Sequence, residues 1–293
     1  MSVSAGKGLT HLDSMVSALM ESIEIDVAER NQAKEVYYGT QTTFDNNERI
    51  DLSKVARVAT SPATTASELT WVVGYELGTE RRIFIPEELV SMDLDKHHQS
   101  ISSFAWGTNG LASSVLKSEA ILSGLYEVIE RDTLACWSYV RRENKCFKEY
   151  VVDNATINYN TTKRLIDQVE ATGLYLFIIH LRNELNIPVI RCHILNKIDQ
   201  ARRTATGYGC HHSMEIALNR AITEAVQGRA CYIAGSREDM FKLKFKDIDY
   251  GYADDYFSSL IQEDLDDEGG CLLPTDSAIR DIPVSYTHLT LPT

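Results

Sequence analysis

Polar residues repeat on one side of three segments that otherwise carry the apolar period of an α-helix. The segments run over about residues 10–30, 118–139 and 213–234. Residues at offsets of four, seven or eight share one side of a helix, so each segment presents a polar stripe. The stripes consist of Ser17, Glu21 and Glu24 in the first segment, Glu119, Ser123, Glu127 and Glu130 in the second, and Arg220, Glu224 and Gln227 in the third.

An isolated stripe of this kind is typical of the solvated side of an amphipathic helix, and that remains one interpretation. Two features favour another interpretation, in which the stripes are partly buried. The stripes have few Lys residues four positions on, and their neighbours are apolar or small, as in SALMESIEI, GLYEVIERD and ALNRAITEAVQ. A partly buried carboxylate needs a proton, a cation or a metal ion. With Arg131, Arg220 and Arg229, these acids are suited to hold Mg²⁺ and a polyphosphate, since Mg²⁺ prefers a few carboxylates together with phosphate oxygens and water.

The boundaries of the segments carry helix signals. Thr10 followed by Asp13 predicts a capping-box-like start, and Ser213 and Gly235 predict the first and last caps of the third helix. A weaker fourth helix is predicted over 161–171. Apolar residues of the first helix recur at helical spacing. These residues are Met15, Val16, Leu19, Met20, Ile23 and Val27.

Predicted strands fall between the helices. Residues 69–77 and 82–85 flank a short Gly-Thr-Glu turn and predict a hairpin. Residues 174–181, 188–195 and 204–210 are further strand candidates. Long helices interspersed with hairpin-linked strands predict an α/β or α+β fold with a mixed, partly antiparallel sheet.

Composition excludes several classes of protein. The chain has 29 Lys and Arg against 42 Asp and Glu, a net charge of −13, which argues against a nucleic-acid binder. Its longest purely apolar run, 174–179, is far shorter than the roughly 20 residues of a membrane span. Six scattered cysteines without a CxxC pair predict reduced thiols in the cytoplasm. The GKGLT segment lacks the spacing of a phosphate loop, and adjacent Cys210, His211 and His212 are poorly spaced for zinc.

Three long motifs, in order, resemble those of the YcaO family. They read SAGKGLTHLDSMVSALMESIE, NGLASSVLKSEAILSGLYEVIERD and GYGCHHSMEIALNRAITEAVQGR, and the hairpin WVVGYELGTERRIFIPEELV between the first two also fits. The resemblance covers about residues 2–250. It implies an ATP- and Mg²⁺-binding α/β fold that has no phosphate loop.

The resemblance also implies a reaction. YcaO proteins activate a backbone amide of a peptide or protein: the amide oxygen, or the oxyanion formed after a side-chain attack, takes the γ-phosphoryl group of ATP. Loss of phosphate then forms an azoline; in a branch that often works with a TfuA-type partner, sulfur replaces the oxygen. Such catalysis consists mainly of positioning and charge neutralisation.

The resemblance implies roles for individual residues of this chain. Expected catalytic residues are Arg131 and Gln227. Nucleotide contacts are expected at Lys7, Ser17, Glu21, Arg220 and Arg229. Metal ligands are expected at Glu24, Glu119, Glu127, Glu130 and Glu224. The expected partners are a peptide or protein substrate and a TfuA-like or precursor-binding protein, with no nucleic acid and no membrane, and a homodimer is left open.

The match departs from the family at Ser114-Val115, where many members have Gly-Asn, so a non-catalytic peptide- or partner-binding subunit is the alternative function. We also expect one YcaO-like domain over 1–283, incomplete at both ends, and a non-native tail over 284–293.

Overall fold

The computed structural model describes residues 4–30, 35–58, 64–93, 103–105, 107–143, 150–196 and 205–235. The chain divides into two compact units, one over Ser22–Leu111 and the other comprising Ser2–Glu21 and Ala112–Thr293. The boundary falls inside the first helix, α1 (His11–Arg30). The expected tail over 284–293 lies outside the described residues, so its prediction stays open.

The first unit contains a three-stranded antiparallel sheet in the order β1-β2-β3. The strands are β1 (Val36–Gly39), β2 (Leu69–Tyr75) and β3 (Arg82–Pro86), followed by a 3₁₀ turn over Glu87–Leu89. The predicted hairpin is confirmed, since β2 and β3 pair across a short turn. Leu52, Trp71 and Phe104 form the buried centre of this unit.

The second unit contains a four-stranded antiparallel sheet in the order β4-β5-β6-β7. Its strands are β4 (Tyr150–Val151), β5 (Leu174–Leu181), β6 (Val189–Asn196) and β7 (Ala205–Cys210). Its helices are α2 (Lys117–Glu143), α3 (Asn160–Glu170) and α4 (Met214–Ala234), with a 3₁₀ turn over Asn154–Thr156. The combination of helices with β-sheets confirms the predicted fold class, although the strand pairs of the two described sheets are all antiparallel rather than mixed.

Helices cover both faces of this sheet. On one face, α3 and α4 pack against side chains such as Leu176 and Ile190. On the other, α2 packs against Phe177, Ile179 and Val189. Among the described strands β7 is the last in the sheet order, and both α2 and α4 contact it. Glu130 of α2 and Glu224 of α4 lie close enough for their charges to interact, so the polar stripes of the two helices approach each other beside this strand.

Helix boundaries follow the predicted caps. The Thr10 amide donates to Asp13 Oδ2 at 3.0 Å and the Asp13 amide donates to Thr10 Oγ1 at 3.1 Å, a reciprocal capping box. Ser213 has extended backbone at the N-cap of α4, although its hydroxyl makes no capping hydrogen bond. Gly235 ends α4 with φ +63°, a left-handed conformation that glycine adopts without a Cβ clash.

The apolar side of α1 is exposed, although its period predicted the helix correctly. Leu19 is 61% exposed and Val27 58%, and among α1 residues only Ala28 is buried. No described helix is long and apolar enough to cross a membrane. Among the described cysteines, Cys136, Cys192, Cys210 and Cys231 are all free thiols.

Candidate functional site

Two glycines let α4 lie directly against β7. A Cβ on Gly207 would stand 2.2 Å from the Ala221 oxygen, and one on Gly209 would stand 2.1 Å from the Ala217 oxygen. Both distances are far shorter than any real contact, so only glycine fits these strand positions. The facing helix positions are alanines and fully buried. Small residues on both sides therefore bring the α4 backbone unusually close to the strand.

This close packing places Glu224 at the outer edge of β7. The main-chain N–H of Tyr208 donates to Glu224 Oε1 at 3.3 Å. In the register of the sheet Tyr208 lies opposite Arg191 of β6, yet its N–H turns outward to the carboxylate. An edge-strand donor that would otherwise need water is thereby satisfied, and the carboxylate is fixed in direction.

The N-terminal segment 5–8 crosses the same place. Lys7 Nζ forms a salt bridge with Glu224 Oε2, and Gln227 Nε2 donates to the Ala5 oxygen. From the other side, the Lys7 amide donates to Ser17 Oγ of α1 at 3.3 Å. A Cβ on Gly6 would stand 1.9 Å from the Ser14 oxygen, which explains a glycine before the lysine. We call residues 5–8 the strap, since α1 and α4 hold it from both sides.

Glu130 brings the acid stripe of α2 to this site. Its side chain is buried, with only 6% of the residue exposed. Burial, and secondarily the negative charge of Glu224, raises the pKa of Glu130 to about 7. Arg131, Lys7 and Arg220 oppose that shift. A carboxylate held this far above its ordinary pKa will release its proton readily when a cation arrives.

Arg220 supplies a guanidinium in the same cluster. Its Nε is buried and has no hydrogen-bond partner among the described residues. A buried guanidinium donor without an acceptor carries a desolvation cost and is suited to a phosphate oxygen. Arg131 is more exposed and pairs with Glu127 one turn back, with Nη2 to Oε1 at 3.5 Å.

The structure thus brings together many, but not all, of the residues expected from the sequence. Glu119 is exposed and accepts a hydrogen bond from Ser114 Oγ at 2.6 Å. Glu21 and Arg229 are half-buried on α1 and α4, and Glu24 lies on the part of α1 assigned to the other unit. The roles of these four residues, like those of all the expected site residues, stay predictions. The residues that converge are Lys7, Ser17, Glu130, Arg131, Arg220, Glu224 and Gln227.

Sequence reasoning missed an aromatic group beside this cluster. Tyr126 Oη is hydrogen-bonded to His212 Nδ1, and the Tyr126 ring lies 4.8 Å from that of His211. His211 Nδ1 accepts from the amide of Ser213, the N-cap residue of α4, at 2.9 Å. Burial, with the nearby charges of His212 and Arg220, lowers the pKa of His211 to about 4. The sequence signal that could have revealed this group was the pair of adjacent histidines directly after a predicted strand.

The donor set fits a metal-bound nucleotide better than a bare metal ion. In the described part of the chain, no three side chains of His, Cys, Asp or Glu stand close enough to hold a metal ion by themselves. Two neighbouring carboxylates with Arg220 and Lys7 match Mg²⁺ accompanied by phosphate oxygens. The unpartnered Arg220 Nε and the raised pKa of Glu130 both fit a site for a charged ligand.

Comparisons with known proteins agree with this chemistry. The family model described as YcaO cyclodehydratase, ATP- and Mg²⁺-binding, matches residues 5–277. An uncharacterized protein in the tfuA 3′ region of Rhizobium leguminosarum bv. trifolii is 32% identical over 85% of this chain and 60% of its own length. An uncharacterized protein of Methanothermobacter thermautotrophicus is 30% identical over 84% of this chain and 62% of its own. The chain therefore spans about three fifths of the length of these relatives.

Solved structures share the fold. A heterocyclase in complex with substrate and cofactor has a TM-score of 0.66 and 22% identity, covering 76% of this chain and 32% of its own. YcaO from Methanopyrus kandleri, bound with AMPPCP and Mg²⁺, has a TM-score of 0.59 and 24% identity, covering 80% of this chain and 56% of its own. The expected cofactors, ATP and Mg²⁺, are confirmed for the domain that the chain carries. A family model that spans nearly the whole chain, together with the site at the β7 edge, shows that this protein belongs to the YcaO family.

Proposed function

We propose that the protein uses ATP and Mg²⁺ to phosphorylate a backbone amide oxygen of a ribosomally made peptide or protein, leading to an azoline or a thioamide. The observation that carries the proposal is the convergence of Glu130, Glu224, Lys7 and Arg220 at one strand edge. Membership of a family of ATP-dependent cyclodehydratases supplies the reaction class.

Each residue has a distinct part in this proposal. When bound, Mg²⁺ neutralises charge on the nucleotide phosphates and makes the γ-phosphoryl group easier to transfer. Glu130 and Glu224 hold the metal, and Glu130 loses its proton as it does so. Arg220 donates to a phosphate oxygen through its buried Nε, and Gln227 keeps the strap against α4. When a Cys, Ser or Thr side chain attacks the amide carbon, its S–H or O–H proton passes to solvent, and the amide N–H proton is lost as the phosphorylated oxygen leaves and the C=N bond forms.

Orientation accounts for most of the expected rate gain. An amide oxygen is a poor leaving group, and its phosphate ester is a good one. The protein has to hold the amide in line with the γ-phosphorus and to exclude water from it, which is worth several kcal/mol of barrier. Buried Glu130 and the close β7–α4 packing provide the frame for that alignment.

The branch of chemistry is also a proposal. One relative is named for its position in the tfuA 3′ region, which favours thioamide formation with a TfuA-like partner. In that case sulfur from a sulfide donor replaces the phosphorylated oxygen. Cyclodehydration would use a Cys, Ser or Thr side chain of the peptide itself.

A non-catalytic YcaO-like subunit that binds a peptide or partner is the second candidate. It is favoured by Val115, which is 92% exposed at the position where the family motif often carries a polar Asn. An isopropyl side chain cannot ligate a metal or a phosphate. If this second function is correct, the domain binds nucleotide but does not catalyse its hydrolysis or the modification of a peptide.

Nucleotide binding and turnover separate the two candidates. Mg²⁺-ATP at a hundredfold excess over its Kd should stabilise the protein by about 2.7 kcal/mol. Glu130→Gln should abolish that shift and leave the apo protein folded. The full-length protein, incubated with candidate peptides and either no sulfide or added sulfide, should release phosphate only with peptide. Mass spectrometry then distinguishes loss of water from exchange of oxygen for sulfur. Nucleotide binding without any peptide-dependent phosphate release would support the non-catalytic subunit.

A further inference from the structure

Lys7 contacts the candidate metal site with its own positive charge. Its ammonium pairs with Glu224 Oε2, and the charge also lowers the pKa of buried Glu130. Both partners are partly shielded from water, with 24% of the Lys7 side chain and 29% of the Glu224 side chain exposed. One ammonium thus offsets two carboxylates that would otherwise repel each other.

The strap holds this ammonium in place. Its backbone is tied to α1 by the Lys7–Ser17 hydrogen bond and to α4 by the Gln227–Ala5 hydrogen bond. Gly6 lies so close to Ser14 and Ala18 of α1 that no side chain fits there. Because the strap is fixed on both sides, Lys7 acts as an intramolecular cation that dilution cannot remove.

Both oxygens of Glu224 are engaged in this arrangement. Oε1 accepts from the Tyr208 amide, and Oε2 accepts from Lys7. A divalent ion that binds Glu224 must take over an oxygen at about 2.1 Å and must tolerate a nearby ammonium. A free Mg²⁺ ion brings no anion to receive the displaced lysine. A nucleotide-bound Mg²⁺ ion does, because its phosphates accept ammonium hydrogen bonds.

We propose that Lys7 determines which form of the metal the site accepts: it excludes free divalent cations from Glu224 and gives way only to a metal that arrives with nucleotide. The lysine then moves from the carboxylate to a phosphate oxygen. This inference rests on the proposed ATP and Mg²⁺ site and adds a selection step to it. The absence of a three-ligand set for a bare metal ion among the described side chains agrees with it.

Mn²⁺ binding without nucleotide tests the proposal, with free Mn²⁺ followed by electron paramagnetic resonance. The wild-type protein should bind Mn²⁺ weakly. Lys7→Met keeps the length of the side chain and removes the charge, and should bind Mn²⁺ about tenfold more tightly, the scale of one partly shielded charge pair. Arg131→Met is the matched control, because it removes an equal charge beside Glu130 without contacting Glu224. It should change Mn²⁺ affinity much less.

A double-mutant cycle makes the test specific. In a Glu224→Gln background, Lys7→Met should no longer increase Mn²⁺ affinity, since the contested carboxylate is gone. A non-hydrolysable ATP analogue should strongly raise the affinity of the wild-type protein for Mn²⁺. In Lys7→Met the same analogue should raise the Mn²⁺ affinity much less. Thermal unfolding confirms that each variant folds, and Lys7→Gln replaces Lys7→Met if that variant does not fold.

Two results would overturn the proposal. One is Mn²⁺ affinity in folded Lys7→Met, or Lys7→Gln, that is no higher than in the wild type. The other is an equal gain in Arg131→Met, which would assign the effect to overall charge. Neither measurement requires ATP, so failure of the proposed function would show separately as absence of nucleotide binding in the wild-type protein.

Discussion

The Tyr208 amide of β7 donates to Glu224 Oε1 of α4 at 3.3 Å, linking the sheet to the acid cluster. The two residues are 16 positions apart and belong to different elements. The hydrogen bond exists because Gly207 and Gly209 leave no side chain between strand and helix. The geometry of the site therefore depends on the packing beneath it.

Two substitutions of Glu224 separate the role of its charge from that of its hydrogen bond. Glu224→Gln keeps an oxygen for the Tyr208 amide and loses the charge. It should leave the melting temperature close to that of the wild type and weaken Mg²⁺-ATP binding at least about tenfold, the loss expected for one charged contact. Glu224→Ala should lose both nucleotide binding and about 1 kcal/mol of stability. Calorimetric titration and thermal unfolding measure the two effects. Equal nucleotide affinity in Glu224→Gln and wild type would remove Glu224 from the site.

Gly207→Ala should push α4 away from β7. The added methyl would clash with the backbone of α4 at Ala221, so we expect a loss of about 1–3 kcal/mol in the free energy of unfolding. Gly228→Ala is the control, because that glycine is an exposed residue inside α4. A Cβ added there would stand 3.9 Å from the Thr206 oxygen, an ordinary contact distance. It should gain about 0.5–1 kcal/mol from helix propensity. Chemical denaturation measures both, and a loss of similar size at the two positions would contradict the close-packing argument.

The local elements followed from the sequence because their signals are local. The Thr10–Asp13 capping box, the Gly235 stop and the β2–β3 hairpin all depend on residues a few positions apart. Burial did not follow in the same way. The buried residues of α2 include Tyr126, Glu130, Thr133 and Trp137, a stripe that no hydrophobicity pattern selects, whereas Leu125 and Val128 are exposed. Tertiary packing decided which side of that helix faces the core.

The candidate site shows the same division between local and distant information. Spacing alone identified the stripes that carry Glu130 and Glu224, and family motifs added Lys7. The pairing of Lys7 with Glu224 joins residues 217 positions apart, and nothing in the periodicity of either segment specifies it. Nor did spacing indicate that Glu119 would be exposed while Glu130 was buried, since both share the predicted stripe. Tertiary packing, which the spacing does not encode, makes that difference.

Arg220 should be required for nucleotide binding through geometry as well as charge. Its buried Nε is oriented as a donor without a partner among the described residues, so Arg220→Lys keeps the charge and loses the planar donor pair. We expect Arg220→Lys to weaken ATP binding by about tenfold and Arg220→Met to weaken it further. Both variants should fold, since removing an unpaired buried donor relieves a cost. Full ATP affinity in Arg220→Lys would assign the residue a purely electrostatic role.

Glu130 should make the protein less stable as the pH rises through the mildly acidic range. Its folded-state pKa of about 7 lies above the ordinary value of 4.5, so the folded state retains a proton that the unfolded chain releases. Between those two values each pH unit lowers the free energy of unfolding by about 1.4 kcal/mol, on the order of 3 kcal/mol in all. Above pH 7 the loss of stability caused by Glu130 stays constant at its full size. Below pH 4.5 there is no such loss, because the carboxyl group is protonated in both the folded and the unfolded chain.

Glu130→Gln isolates that contribution, because the amide is neutral at every pH and has nearly the same shape. The stability difference between Glu130→Gln and wild type should shift in favour of the variant as the pH rises from 4.5 to 7 and then level off. Glu119→Gln, on the exposed part of the same helix, is the control and should stay within about 1 kcal/mol of the wild type, as exposed carboxylates generally do. Urea denaturation at several pH values provides the measurement. If the stability difference between Glu130→Gln and the wild type did not depend on pH, the pKa of Glu130 would not be raised in the folded protein.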